Sequence, residues 1–477
     1  MGDFKFGRRR FLGLAAAAGA AAAGGVMLGE PYAAAATGVD YAGLKRALKG
    51  ALLRPGDAGY ATAAQPYNSA LGVRKPAAIA KVAGVDDVRA CVRRVRGHGV
   101  PLAARAGGHS YAGFSTPDHG VVVDLSALKG ITVSSDGTAV VGAGVKLLDL
   151  YSALAAHGRA LPAGSCPTVG VAGSTLGGGI GVVARAYGLT CDHLKSATVV
   201  TADGALHTVD GNHDADLFWA LRGGGGGNGG IVTSFTFGTV PAPTVTIFSL
   251  HFPAARTSRV LRAWSQWMDA APDQLTSLCA VTAAHTPTNR VTGTWTGSAS
   301  ALTGHLSALI AAVGASPTSR TTHTYNYLNA MKYFAGPAAG REAFRAASRM
   351  LERTVTASIA DRVVALMSKQ KGMVLLFDSL RGQAGRIKTA DTAFAHRGAH
   401  ASVQVYSGNA ANGPAVLAVQ QALAPIVGTG AYVNYLNPGQ KDWASAYYGT
   451  NLTRLRQVIR KYDPDRVFDF AQSALRA

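Results

Sequence analysis

Apolar positions follow two spacings along this 477-residue chain, and the switches between them mark out its elements. Val88, Val92 and Val95 recur at helical spacing and predict an amphipathic helix over 86–97, after which VPLAARA and GVVVDL predict two strands. Asp136 and Gly137 mark a hairpin turn, and helical spacing returns over 146–157. Beyond a glycine-rich stretch, SATVVTA and ALHTV predict strands joined at Asp203 and Gly204, then a short helix ending at Arg222, the run GGGGGNGG and the strand IVTSFTFGTV. Pro241 and Pro243 mark a boundary. Past it, TVTIFSLHF, LTSLCAVTA and RVTGTWTG read as strands among helices over 258–270 and 301–313. Leu452, Leu455, Val458, Ile459 and Tyr462 share one face of a closing helix that stops at Asp463 and Pro464. The pattern is α+β, with mixed sheets up to about Val240 and a second α/β domain after it.

Composition sharpens this only in places. The length exceeds what one hydrophobic core serves, and 48% hydrophobic against 15% charged residues describes a globular chain of about two domains. Lys and Arg number 46 against 26 Asp and Glu, a formal charge of +20. The basic residues are scattered, without a basic run or an aromatic-interleaved stripe, so they read as a solvated positive surface and argue against a nucleic-acid partner.

Residues 1–36 read as an address. Arg8, Arg9 and Arg10, then Phe11 and Leu12, open a weakly hydrophobic Ala/Gly stretch that closes at Ala33–Ala36, the three-part pattern of a twin-arginine export signal. Leu, Ile, Val and Phe are too sparse between Phe11 and Leu28 for a stable membrane anchor, and the small residues before Thr37 suit a peptidase. The mature chain is expected to begin near Thr37 and to be extracytoplasmic, delivered by the twin-arginine translocation machinery. That route carries proteins already folded, often around a cofactor, so a cofactor protein is expected.

The four cysteines make no disulfide scaffold, and no CxxC or paired-His spacing indicates zinc, so no metal site is expected. Cys91 falls on a helix face and Cys279 in a strand, both core positions. Cys166 differs, because PAGSCPTVG is a Gly/Pro/Ser-rich loop where a small core hydrophobe has little reason to be.

Three segments carry candidate chemistry. In RAGGHSYAG, Gly107 and Gly108 can adopt positive φ and converge backbone N–H groups on a phosphate, with Arg105 adding charge; a plain tight turn is the simpler alternative for a Gly-Gly pair. From Cys166 to Leu194, seven glycines between Gly170 and Gly188 leave the backbone free to lie against something flat or anionic. Gly179, Gly181 and Ala184 there imitate a GxGxxA dinucleotide fingerprint with Asp203 about 20 residues on, but the preceding GVAGSTLG is no hydrophobic strand and the reading is rejected. In GAYVNYLNPG, an extended backbone places Val433 and Tyr435 on one face and Tyr432 and Asn434 on the other, a polar pocket wall or simply packed core.

Together these segments resemble the berberine-bridge-enzyme-like oxidases, which have the FAD-binding fold of vanillyl-alcohol oxidase. The matching runs are RAGGHS, GSCPTVGVAGSTLGGGIG, ARAYGLTCDHL, DLFWALRGGGGGNGGIVTSF, TAFAHR, YVNY and YYGTNLTRLRQVIRKYDPDRVF, spanning roughly 65–238 and 377–473. The resemblance implies a two-subdomain PCMH-type FAD-binding domain over 37–240, a substrate domain with an antiparallel sheet over 241–440, and a C-terminal segment over 441–477 returning to the FAD domain. It implies FAD attached bicovalently, the 8-methyl carbon to His109 and ring carbon 6 to Cys166. Arg105, Ala106, Gly107, Gly108, His109 and Ser110 would cradle the pyrophosphate. Gly170, Gly173 and Ser174, with Gly178 and Gly179 after Leu176, would pass along the isoalloxazine and ribityl chain. Ile231 would lie near the adenine, and Asn451 would contact the flavin. Gly229 stands where relatives often have an aromatic residue, which implies looser packing near Asn228.

The resemblance also assigns Tyr435 as the base that takes the substrate proton while flavin N5 takes a hydride. A phenol of pKa about 10 needs a nearby cation to serve at neutral pH, and Arg397 and Lys371 are the sequence's candidates. Val169, three residues after Cys166, implies room for O2 and hence an oxidase releasing hydrogen peroxide. The expected substrate is a small molecule, a carbohydrate or alcohol or else a secondary metabolite. A dehydrogenase using another acceptor and a non-catalytic binding protein of the same fold are the alternatives.

Overall fold

The computed structural model describes residues 38–336 and 340–477; the export-signal reading of 1–36 and the start near Thr37 lie outside them. Strands β1 (Ala51–Leu53), β2 (Ala78–Lys81), β3 (Leu102–Arg105) and β4 (Val121–Asp124) form the first sheet in the order β1-β2-β4-β3, with β2 and β3 both parallel to β4. The helix Val85–Val95 connects β2 to β3 and buries Val88, Cys91, Val92 and Val95, the face that the sequence spacing marked. Strands β5 (Ile131–Val133) and β6 (Thr138–Gly142) form the hairpin at Asp136 and Gly137. They join β8 (Leu194–Val200), β9 (Leu206–Asp210) and β10 (Ile231–Gly238) in an antiparallel sheet ordered β5-β6-β10-β8-β9, while β7 (Arg159–Ala160) pairs with β11 (Val240–Pro241). One continuous apolar core lies across this half of the molecule.

The second half is a seven-stranded antiparallel sheet of β12 (Thr244–His251), β13 (Leu275–Thr282), β14 (Thr288–Trp295), β15 (Ser319–Asn326), β16 (Arg345–Leu351), β17 (Val374–Ser379) and β18 (Ala401–Ser407), ordered β15-β12-β14-β13-β17-β18-β16. Side chains alternate strictly across it. Phe248, Leu250, Val291, Cys279, Leu375, Phe377, Val403 and Val405 form an apolar face on the helices Thr257–Asp269, Ala299–Val313, Ala357–Ser368 and Gly413–Val427. The residues between them, among them Ser249, Thr292, Asp378 and Gln404, point to the FAD-domain side. Thr292, Leu278, Asp378 and Ser402 stand in one register row across four strands.

The chain then returns to the first half. The helix Leu452–Tyr462 packs on the helix Ala215–Leu221, the Tyr462 hydroxyl donates to Asp214 and Asp216, and the Ala474 N–H donates to Asn228. Among the described residues no helix is long and apolar enough to cross a membrane.

YVNY corrects the sequence reading. It is a 3-10 turn over Val433–Tyr435, not an extended strand, and the Tyr432 and Tyr435 rings meet edge to face at 4.9 Å instead of pointing to opposite faces. The reason lies in the backbone: the Tyr435 N–H closes onto Tyr432 O and the Tyr432 N–H donates to Ser348 Oγ on β16, so the segment satisfies itself without a partner strand.

Candidate active site

Two glycine loops of the FAD-domain half cross in backbone contact. A Cβ at Gly107 would stand 2.4 Å from Gly170 N and 2.7 Å from Thr168 O, and one at Gly170 would stand 2.5 Å from Gly107 N, so neither position admits a side chain. The crossing brings His109 and Cys166 to the same hydroxyl. His109 Nε2 lies 2.9 Å from Thr168 Oγ1, and Cys166 Sγ lies 3.8 Å from that oxygen. Tyr67 stacks on the His109 ring at 3.7 Å between centroids and holds its plane.

Both side chains line a cleft of about 1080 Å³ between these loops and the polar face of the seven-stranded sheet. Ala106, Gly107, Gly108 and Ser110 continue the first loop along the cleft, and Val169, Gly170, Gly173 and Ser174 continue the second, with Ile231 on the same wall. Nothing lies within 4 Å of a Cβ built on Gly173 or on Gly226, both of which face the cleft, and Gly108 turns at φ +70°. A flat ring system lying on bare backbone, with a nucleophilic nitrogen and a sulfur beside it, fits this wall. FAD is therefore compatible with the residues present, His109 and Cys166 being the ones that would hold it.

Opposite stands Tyr435. Tyr111 stacks on it at 4.9 Å with planes 9° apart, Tyr432 meets it edge-on, and Gln404 of β18 donates to the Tyr111 hydroxyl at 2.9 Å. The Tyr432 hydroxyl receives the N–H groups of Gly179, Ile180 and Asn434 Nδ2 at 3.0, 3.1 and 2.9 Å, which anchors the turn to the glycine segment. Burial pushes the Tyr432 phenol well up, so it stays protonated. Of the two tyrosines, Tyr435 alone is only half-buried and can meet a substrate.

Several expected site residues lie elsewhere. Arg105 turns its side chain under the loop onto Asp124 at 2.7 Å and onto Thr116, so its charge is neutralised inside the sheet instead of facing a phosphate. Burial acts to raise the Asp124 carboxyl, but Arg105 and Ser126 outweigh it and hold it below the usual carboxylate range. Gly178 and Gly179 both have positive φ and pack against Phe394 and Thr190; side chains there would collide at 2.8 and 2.2 Å, so these glycines serve a turn behind the wall. Asn451 is buried and donates to Thr389 O and Thr392 O at 2.9 and 3.0 Å, tying down a loop outside the cleft. Of the two proposed cations, Arg397 is paired with Asp192 at 2.7 Å in a buried cluster, and Lys371 is exposed.

The sequence reading missed Thr168, Tyr67, Tyr111 and the whole sheet wall, where Arg290, Thr292, Asp378 and Gln404 line the cleft. Asp378 had a signal, a single charge inside the apolar run VLLFDSL. Among the described residues no group of His, Cys, Asp or Glu side chains has a metal-holding arrangement.

Residues 76–210 match the family model of an FAD binding domain, and 431–474 match that of berberine and berberine-like proteins. The FAD-linked oxidoreductase YgaK of Bacillus subtilis (strain 168) is 34% identical over 443 residues, covering 90% of this chain and 97% of the relative. The chain belongs to the berberine-bridge-enzyme-like FAD-linked oxidoreductases. A xylooligosaccharide oxidase of Thermothelomyces thermophilus is 29% identical over 451 residues, covering 86% of this chain and 89% of the relative. A solved structure of glucooligosaccharide oxidase from Acremonium strictum, described for its 6-S-cysteinyl, 8α-N1-histidyl FAD, superposes with a TM-score of 0.83 at 26% identity, covering 92% and 100% of the two chains. Within this berberine-bridge-enzyme-like oxidase, both crossing loops fall inside the FAD-binding match and the YVNY turn inside the berberine-like match. The seven-stranded sheet falls outside both.

Proposed function

We propose that this FAD-linked oxidase carries its flavin on two covalent tethers, His109 to the 8-methyl carbon and Cys166 to ring carbon 6, and oxidises a hydroxyl-bearing carbon of an extracellular carbohydrate. One observation carries the reading: an imidazole and a thiol from separate loops reach one hydroxyl, on the wall of a cleft that Tyr435 faces. The naming of both attachments in a glucooligosaccharide oxidase of the same fold supports it. Bound FAD supplies a hydride acceptor at N5 and passes two electrons to O2, giving hydrogen peroxide.

The chain's residues supply the rest. Tyr435 takes the proton of the reacting hydroxyl, with its ring held between Tyr111 and Tyr432 so that the phenol oxygen stays in one place. Val169 lines the cleft within the Cys166 loop, and its short side chain leaves space for O2. Thr292, Asp378 and Gln404 offer hydrogen-bond partners for sugar hydroxyls, and the stacked pair Phe344 and Tyr406, 5.5 Å apart, offers flat apolar surface for a sugar ring. The two tethers leave the cleft open for a chain of sugars. Export through the twin-arginine machinery, read from residues 1–36, places the enzyme where such polymers occur.

Peroxide release from purified protein across a panel of saccharides, simple alcohols and aromatic natural products tests the reading. Turnover is expected with oligosaccharides that have a free anomeric hydroxyl. Silence across every saccharide with turnover of a natural product overturns the carbohydrate assignment, and reduction by saccharide without peroxide release overturns the oxidase.

A further inference from the structure

We propose that Thr168 is the positioning residue that orders flavin attachment, first at His109 and then at Cys166; the inference rests on the two-tether reading above. Its Oγ1 is the atom that both nucleophiles share, 2.9 Å from His109 Nε2 and 3.8 Å from Cys166 Sγ. The hydroxyl is held in place. The Thr168 carbonyl lies under Gly107 so closely that no Cβ fits between them, the Val169 N–H donates to Cys166 O, and Tyr67 stacked on His109 resists rotation of the imidazole.

A neutral imidazole has one N–H and one lone pair, and the partner of one nitrogen decides the state of the other. With Nε2–H donated to Thr168, the lone pair sits on Nδ1, and Nδ1 forms the bond to the 8-methyl carbon. That bond replaces one methyl C–H and removes one N–H from the ring. The two hydrogens remain on the flavin as its two-electron reduced form, which O2 reoxidises with release of hydrogen peroxide. The alkylated imidazole has then shed its Nε2 proton, and Nε2 has become an acceptor.

Thr168 now reverses direction. Its O–H donates to Nε2 and its oxygen accepts the Cys166 S–H, so the thiol proton moves to the threonine oxygen as the hydroxyl proton moves to His109. The resulting thiolate is the nucleophile that replaces the C6–H bond; the C6 hydrogen and the proton relayed to His109 pass with two electrons to the flavin and on to O2, leaving Nε2 an acceptor again. Tyr151 is a further titratable group near this thiol; its hydroxyl donates to Gly164 O, and burial pushes its pKa well up, so it stays protonated throughout. A single hydroxyl thus serves as acceptor in the first attachment and as proton relay in the second.

The test follows attachment in time. Full-length chain made under riboflavin starvation is supplied with FAD, sampled, digested, and its flavin-bearing peptides are resolved by mass spectrometry. In the unmodified protein the His109-linked species is expected before the doubly linked one. Thr168→Val is expected to keep the His109 tether and to slow Cys166 attachment by about 10²-fold, the lower side of what a positioned acid or base contributes. Higher pH is expected to recover that rate, because hydroxide then takes the thiol proton, a recovery that a merely misfolded loop would not show. Thr168→Ser is expected to attach both at the unmodified rate. Cys166 attachment in Thr168→Val at the unmodified rate, or a Cys166-only species appearing first in the unmodified protein, overturns the role of Thr168. Complete absence of covalent flavin in the unmodified protein overturns the two-tether reading itself.

Discussion

The two walls of the cleft are built on opposite plans. The FAD-domain wall is mostly backbone: crossing loops in which Gly107 and Gly170 exclude side chains, and Gly173 and Gly226 leave bare surface. The sheet wall is all side chain, with Arg290, Thr292, Asp378 and Gln404 projecting from a regular ladder. A bare wall can lie close along one large invariant partner, and a bristling one can distinguish small variable partners by hydrogen bonds. Under the proposed function, the first wall takes the cofactor and the second chooses the substrate.

Removing both nucleophiles from the bare wall tests this most severely. Cys166→Ala should leave the His109 link, and His109→Ala should attach flavin at Cys166 only slowly, because the imidazole that takes the thiol proton is gone. The double variant should release all of its flavin on acid denaturation, read by absorbance of the supernatant. Tyr435→Phe comes next. Anaerobic stopped-flow should show flavin reduction slowed by roughly 10²- to 10⁴-fold with both tethers intact, the range of a lost general base. Gly173→Val should lower flavin content about tenfold at nearly unchanged melting temperature, because a Cβ at this position faces the cleft with nothing within 4 Å of it. If that variant binds flavin fully, the wall is not where the ring lies. The smallest effect is expected across the cleft: Thr292→Val should raise KM a fewfold, about 1 kcal/mol for one hydrogen bond, and leave flavin content and attachment untouched. A change in attachment there would blur the division between the walls.

Legibility followed the same division. Glycines, the loop cysteine and the neighbouring histidine announce themselves by residue type, since close approach and nucleophilicity demand particular residues. What the glycines approach was harder to tell: Gly178 and Gly179 have the same local signature as Gly173, yet only the fold shows that Phe394 and Thr190 stand in front of them. Arg105 looked like a phosphate ligand because its partner, Asp124, lies on the neighbouring strand, 19 residues away. YVNY alternated like a strand, and the Ser348 hydroxyl that makes it a turn comes from another strand altogether. On the sheet, period-two alternation separates the faces of β13, β14, β17 and β18 but does not say which face covers helices and which covers a cleft.

That alternation also has a bearing on how such enzymes diversify. Because Thr292 and Asp378 point away from the face that carries Val291 and Phe377, exchanges on the outer row leave the apolar packing beneath untouched. New preferences for what is oxidised can therefore arise one position at a time at little cost to folding, while the electron-handling half is inherited intact.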